Sequence, residues 1–187
     1  MLTATEQALH KQIVSFVKDR DLWLSREAIE SLAVVFVALA NERVRHEVSI
    51  AVVDQIDAHS ISIKIPAYPE FGDAIRECWF SEVDAIMGPH DALRLKEECE
   101  HGSFQLFLAF GECTRDIVVR AEIGPDGQVR YEADSDLVMS KELSNRFAPR
   151  SPSVAAARCL WRGAADEIDD GGFAVIRPFL SRIVPKP

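Results

Sequence analysis

Apolar and polar residues recur along this chain with two different periods, and the changes of period mark its elements. Near the start, Leu9, Ile13, Phe16 and Val17 fall at helical steps behind Thr5 and Glu6, which predicts a short amphipathic helix ending in "KDRD". Ser25 opens a second helix with Ala28, Ile29, Leu32, Val35, Phe36 and Leu39 on its apolar face. Val34 and Val37 fill the gaps in that face, so the run from Leu32 to Ala40 is apolar nearly all round. A helix without a wet side belongs inside its own fold or against a partner.

After "RHE" the period drops to two. Val48, Ile50 and Val52 alternate with Ser49 and Ala51, and beyond "DAHS" the residues Ile61, Ile63 and Ile65 alternate with Ser62 and Lys64. This spacing predicts a hairpin, with a helix continued through Val48, Val52 and Ile56 as the alternative over residues 46–59. Pro66 and Pro69 end the second strand, because neither has an N–H to donate to a ladder.

The helical period returns at Glu70. Ile75, Trp79, Val83, Ile86 and Met87 form one stripe closed by Gly88 and Pro89, and a further helix runs from about His90 through Leu93, Leu95 and Cys99 to the Gly102 cap. "FQLFLAF", "RDIVVRAEI" and "QVRYEA" then read as strands, the last two joined through "GPDG", where Pro125 presets one φ and glycine permits a positive one. The sum is an α+β fold: N-terminal helices, an antiparallel sheet of about five strands with a helical pair inserted between hairpins, and a C-terminal extension.

Residues 1–133 are expected to form a single α+β domain, and residues 134–187 a partly ordered extension docking on it. The extension holds its apolar residues in short islands, "SVAAARCLW" and "FAVIRPFL". The first island reads as a helix from about Val154 to Arg162. Arg158, Trp161 and Arg162 would share one turn of it and face the carboxylates of residues 70–101.

Charge narrows the partners. The chain of 187 residues carries a formal net charge of -9, which disfavours nucleic acid and anionic membrane, whose binding depends on Lys and Arg releasing counterions. The longest unbroken apolar run, Leu32 to Ala40, is about half of the ~18 residues that suggest a membrane span. "MLTATEQALHKQ" has no basic stretch leading into an apolar core, so a cytoplasmic location is expected. The four cysteines, Cys78, Cys99, Cys113 and Cys159, contain no C-x-x-C pair and read as free thiols.

Candidate chemistry centres on "KEECEHGSFQLFLAFGEC". Cys99 and His101 could ligate zinc with Cys113 and His90, since thiolate and imidazole suit that ion. Ligands two residues apart point to different helix faces, however, so no metal and no cofactor is expected. The same pair could be a nucleophile and its base, but Glu97, Glu98 and Glu100 would push the thiol pKa upward. "DEIDDGG", Asp166 to Gly172, resembles a calcium loop in composition, yet Ile168 stands where the third position needs an oxygen ligand. Segment 70–101 has nine acidic residues against three basic ones, either a wet helical face or a docking surface for a basic partner.

The functional expectation is a non-enzymatic protein-interaction or regulatory protein that binds a protein partner or itself as a homodimer, without nucleic acid or membrane. The alternative is a small enzyme with a site built from Cys99, His101 or carboxylates between the helical pair and the sheet.

Overall fold

The computed structural model describes residues 24–102, 111–138, 158–165 and 173–186, together with Gln7, His10, Lys11, residues 13–15 and Ile168. Its described helices are α1 (Arg26–Ile50), α2 (Pro69–Met87), α3 (Pro89–Gly102) and a C-terminal 3-10 helix (Ala174–Arg182). The strands are β1 (Val52–Asp57), β2 (Ser60–Ile65), β3 (Thr114–Ile123), β4 (Val129–Val138) and β5 (Arg158–Gly163). They form one antiparallel sheet in the order β1-β2-β3-β4-β5, so the fold is α+β. Among the described residues, no helix is long and apolar enough to cross a membrane.

Ser25 caps α1 as its sequence predicts, its hydroxyl accepting from the Ala28 amide at 3.1 Å. At 25 residues α1 is about 37 Å long, enough to serve two cores. Its first half packs Leu32, Ala33, Phe36 and Ala40 against Ile75, Trp79 and Val83 of α2 and Leu95 of α3. Phe36 meets Trp79 edge to face, with ring centroids 6.2 Å apart. The last turn of α1 brings Val48 and Ile50 to a second core on the sheet, formed by Ile61, Ile63, Ile65, Ile117 and Val119 under Val175, Ile176 and Leu180 of the 3-10 helix. Phe71 packs against both cores.

Three expectations are corrected. The strand foreseen from Val48 begins at Val52, because α1 continues through Ile50 before Ala51 turns extended at ψ 131. Neither reading of residues 46–59 holds alone: the alternation of β-branched residues favours a strand, but contacts of Val48 and Ile50 with the sheet core favour one more helical turn. The helix foreseen from Val154 to Arg162 is, over Arg158–Gly163, strand β5 instead. Alanines at 155–157 suggest a helix, but β4 offers an edge of unpaired backbone groups, and β5 takes it. Finally, the all-round apolar run of α1 has a wet position, since Val34 is 69% exposed.

The turn "GPDG" forms as read, with the Gly127 amide donating to the Gly124 carbonyl at 2.9 Å and Gly127 at φ 76. The strand expected at "FQLFLAF", like most of the N-terminal helix, lies outside the described residues. Beyond the 3-10 helix the chain clamps the open end of the sheet. The Val184 amide donates to Ala58 at 2.9 Å, His59 Nδ1 donates to the Val184 carbonyl at 2.8 Å, and Lys186 exchanges hydrogen bonds with Ala121 and Ile123 of β3.

Candidate functional site

The buried stripe of α1 runs from Leu32, Phe36 and Ala40 straight into Arg43 and Glu47 at the same helical steps. On β3, Arg115 stands in phase with Ile117, Val119 and Ala121. Both patterns carry charge into the interior, and the charges meet. Arg43 Nη1 donates to Glu47 Oε1 at 2.8 Å, Arg115 Nη1 donates to Oε2 at 3.0 Å, and the Tyr68 hydroxyl donates to Oε1. All four side chains are buried.

Removing ions from water costs several kcal/mol each, which hydrogen bonds and opposite charge must offset. For Glu47, burial is the largest influence and favours the neutral acid, but Arg43, Arg115 and the Tyr68 hydroxyl together hold its carboxyl below the usual range. In Arg43, burial opposes the charge while Glu47 and Tyr68 restore it, so the guanidinium holds its proton more firmly than usual. Burial and the Glu47 carboxylate push the Tyr68 hydroxyl well upward. Glu47 and Tyr68 are thus displaced from neutrality in opposite directions, whereas a general acid or base works best near the operating pH. The cluster is suited to clamping helix to sheet.

Around it, the His46 ring stacks on Phe71 with centroids 3.9 Å apart and an interplanar angle of 10°, and meets Tyr68 edge on at 5.1 Å. The Gly111 carbonyl accepts from the Tyr68 amide at 2.7 Å, and a Cβ at Gly111 would overlap the Tyr68 ring. Arg76 of α2 pairs with Asp73 and reaches Glu112 at 2.8 Å.

The residues singled out from sequence are scattered. Cys99 and His101 occupy the last turns of α3, and their side chains lie outside the described ones. Cys113 is buried just before β3, where burial and then Glu112 raise its pKa to about 11; a thiol that stays protonated is a poor nucleophile. His90 projects into solvent beside Asp91. Among the described residues, no three of His, Cys, Asp and Glu are grouped to hold a metal. Of the acidic loop at 166–172 only Ile168 is described, and it is buried in the sheet core.

On α2, Glu70, Asp73, Glu77, Glu82 and Asp84 are exposed, as on a wet helical face. Lys96 is drawn to Asp84 at 2.5 Å. Two of the tail residues expected to face those carboxylates, Arg162 and Trp161, do otherwise. Arg162 bonds Glu132 on the neighbouring strand at 2.7 Å, and Trp161 turns inward toward Phe173.

The face of the sheet turned away from both cores is the other feature of note. Its register sets Arg120, Glu132 and Arg162 in one cross-strand row, and Lys64, Asp116 and Asp136 in another. Between them Leu160 is 58% exposed. Two shallow cavities of about 360 and 310 Å³ open at the turn end of this face and share Glu122 and Glu132. At the far edge, β1 exposes five of its six residues.

No family model, curated protein or solved structure matches the chain. The ionic cluster was missed in the sequence, although its signal was there: a charged residue in register with an apolar stripe is a charge sent inward. Arg43, Glu47 and Arg115 all carry it. Tyr68 carries none, since its approach depends on the turn between β2 and α2.

Proposed function

We propose that this protein acts without catalysis, as an interaction or regulatory protein that binds another polypeptide through its sheet. The observation that carries this reading is the exposure of apolar side chains on the open face and edge of the sheet, Val52, Ile56, Val138 and Leu160, set among rows of alternating charge. Mixed apolar and charged surface suits a protein partner better than a small metabolite. The closed ionic cluster and the protonated Cys113 thiol support the same reading. Self-association loses one of its motives, because the apolar run of α1 is covered largely by α2 and α3 of the same chain.

Affinity purification from the source cells, followed by reconstitution with the recovered protein, tests this. A stoichiometric partner that binds the native chain and is lost with the double variant Val52→Lys, Leu160→Lys is the expected result. Substrate turnover abolished by Cys99→Ala or His101→Ala would instead establish the small-enzyme alternative. Native mass spectrometry over a range of concentrations reports any homodimer.

A further inference from the structure

We infer that strand β1 is a docking edge for an extended segment of a partner protein that carries, on one face, a Lys or Arg flanked two residues away on each side by an aliphatic residue. This deepens the protein-interaction reading and rests on it. Among the described strands β1 ends the sheet and is hydrogen-bonded to β2, leaving every second backbone N–H and C=O directed away from β2. From Val52 to Gln55 the pairing with β2 is regular, and the register shifts only between Gln55 and Asp57. A regular stretch of edge strand can accept a further strand.

The side chains specify which strand. Val52 and Ile56 are each 54% exposed. Between and beside them stand the carboxylates of Asp54 and Asp57. Asp57 is kept ionised by hydrogen bonds from the His59 amide and the Ser60 hydroxyl, and Asp54 is exposed. Natural edges are commonly guarded by charged side chains, often Lys, which also limit which strands can pair there. "VVDQID" has no cation at all.

The same composition argues against a second copy. No symmetric pairing of β1 with β1 gives Asp54 an opposite charge, and the pairing centred on Asp54 sets two carboxylates face to face, which destabilises a sheet. A net charge of -9 on each chain adds to the repulsion. An incoming strand with a cation opposite Asp54 and aliphatic residues beside Val52 and Ile56 satisfies backbone, apolar surface and charge together.

Acetylated seven-residue peptides test the edge directly: Thr-Val-Thr-Lys-Thr-Val-Thr, which sets Val, Lys and Val on one face, the same peptide with Glu in place of Lys, and two copies of the first N-methylated on either alternate set of amides. Binding to the full chain is read by fluorescence anisotropy. The Val/Lys peptide should bind saturably and the Val/Glu peptide should not. Methylation of one set should abolish binding and methylation of the other should be tolerated, because a strand uses only every second N–H toward its neighbour. Asp54→Lys should weaken the Val/Lys peptide by about tenfold or more and let the Val/Glu peptide bind. Amide exchange should slow in β1 and nowhere on α2 or α3.

The inference is overturned if no peptide binds, if both methylated copies bind equally, or if Asp54→Lys changes nothing, the last two marking adsorption on the acidic helices. Oligomers of the chain that Asp54→Lys dissolves would assign the edge to a second copy and overturn it as well. A partner recovered by the native chain and retained by Asp54→Lys sinks the β1 site while the protein-interaction reading stands.

Discussion

Arg115 on β3 and Glu47 on α1 lie 68 positions apart in sequence and 3.0 Å apart in space, fully buried at the seam between the helical core and the sheet core. Apolar packing alone lets two such layers slide at small cost. A charge-assisted hydrogen bond in low dielectric fixes one register, since misplacing either partner strands a charge.

Removing the anion should therefore be severe. Glu47→Ala leaves the guanidinium groups of Arg43 and Arg115 without their shared carboxylate, and should destabilise the fold by about 3–5 kcal/mol. Replacing Arg43, Glu47 and Arg115 together by Met, Leu and Met should restore much of that loss. Urea denaturation of the single and triple variants measures the difference. Equal stability of Glu47→Ala and the native chain would remove the cluster from the account of the fold.

The same carboxylate sets an acid limit. Its folded pKa lies below its unfolded value of about 4.3, so its contribution is present in full above that value and is lost as pH falls through the folded pKa. Stability should decline below about pH 4, less steeply in Glu47→Gln. Tyr68 works at the other end. Its raised pKa gives stability that is present below its unfolded value of about 10 and lost as pH rises through the folded value. In a Tyr131→Phe background, phenolate absorbance should appear only as the protein unfolds.

Two glycines with positive φ should respond differently to the same change. Gly127→Ala meets open space, so only the left-handed backbone opposes it, at about 1–2 kcal/mol. Gly111→Ala adds the overlap with the Tyr68 ring, for about 3 kcal/mol or more. Thermal melting of the pair separates backbone strain from crowding, and equal losses would mean that Tyr68 yields freely.

Within "LAVVFVALA" neighbours should diverge as well. Val34→Ala should shift stability by no more than about 0.5 kcal/mol, because Val34 faces water. Phe36→Ala, two residues on, should cost about 3–5 kcal/mol by opening a cavity against Trp79.

Deleting residues 173–187 should abolish cooperative unfolding, because Val175, Ile176, Leu180 and Ile183 cover the sheet core. Added salt should do little to the intact chain, since this docking is apolar. A truncated protein with an unchanged melt would show the segment to be dispensable.

What the sequence determined by itself is what local period and local chemistry encode. The Ser25 cap, the stripe from Ile75 to Val83, the stop at Gly88 and Pro89 and the turn at Gly124–Gly127 are all written within a few residues of where they act, and the α+β class follows from their order. What tertiary structure decided is wherever a distant surface outbid local preference. Val48 and Ile50 have the alternation of a strand but remain helical on α1, packed against the sheet core. Arg158–Gly163 follows an alanine-rich start yet becomes a strand, because β4 presents an unpaired edge. Arg43, Glu47 and Arg115 keep the phase of buried residues in their own elements, but only the packing of α1 on β3 supplies the partners that make burying them tolerable. Periodicity tells which side of an element turns inward; it says nothing of what stands opposite, and that opposition sets the energy of a buried charge.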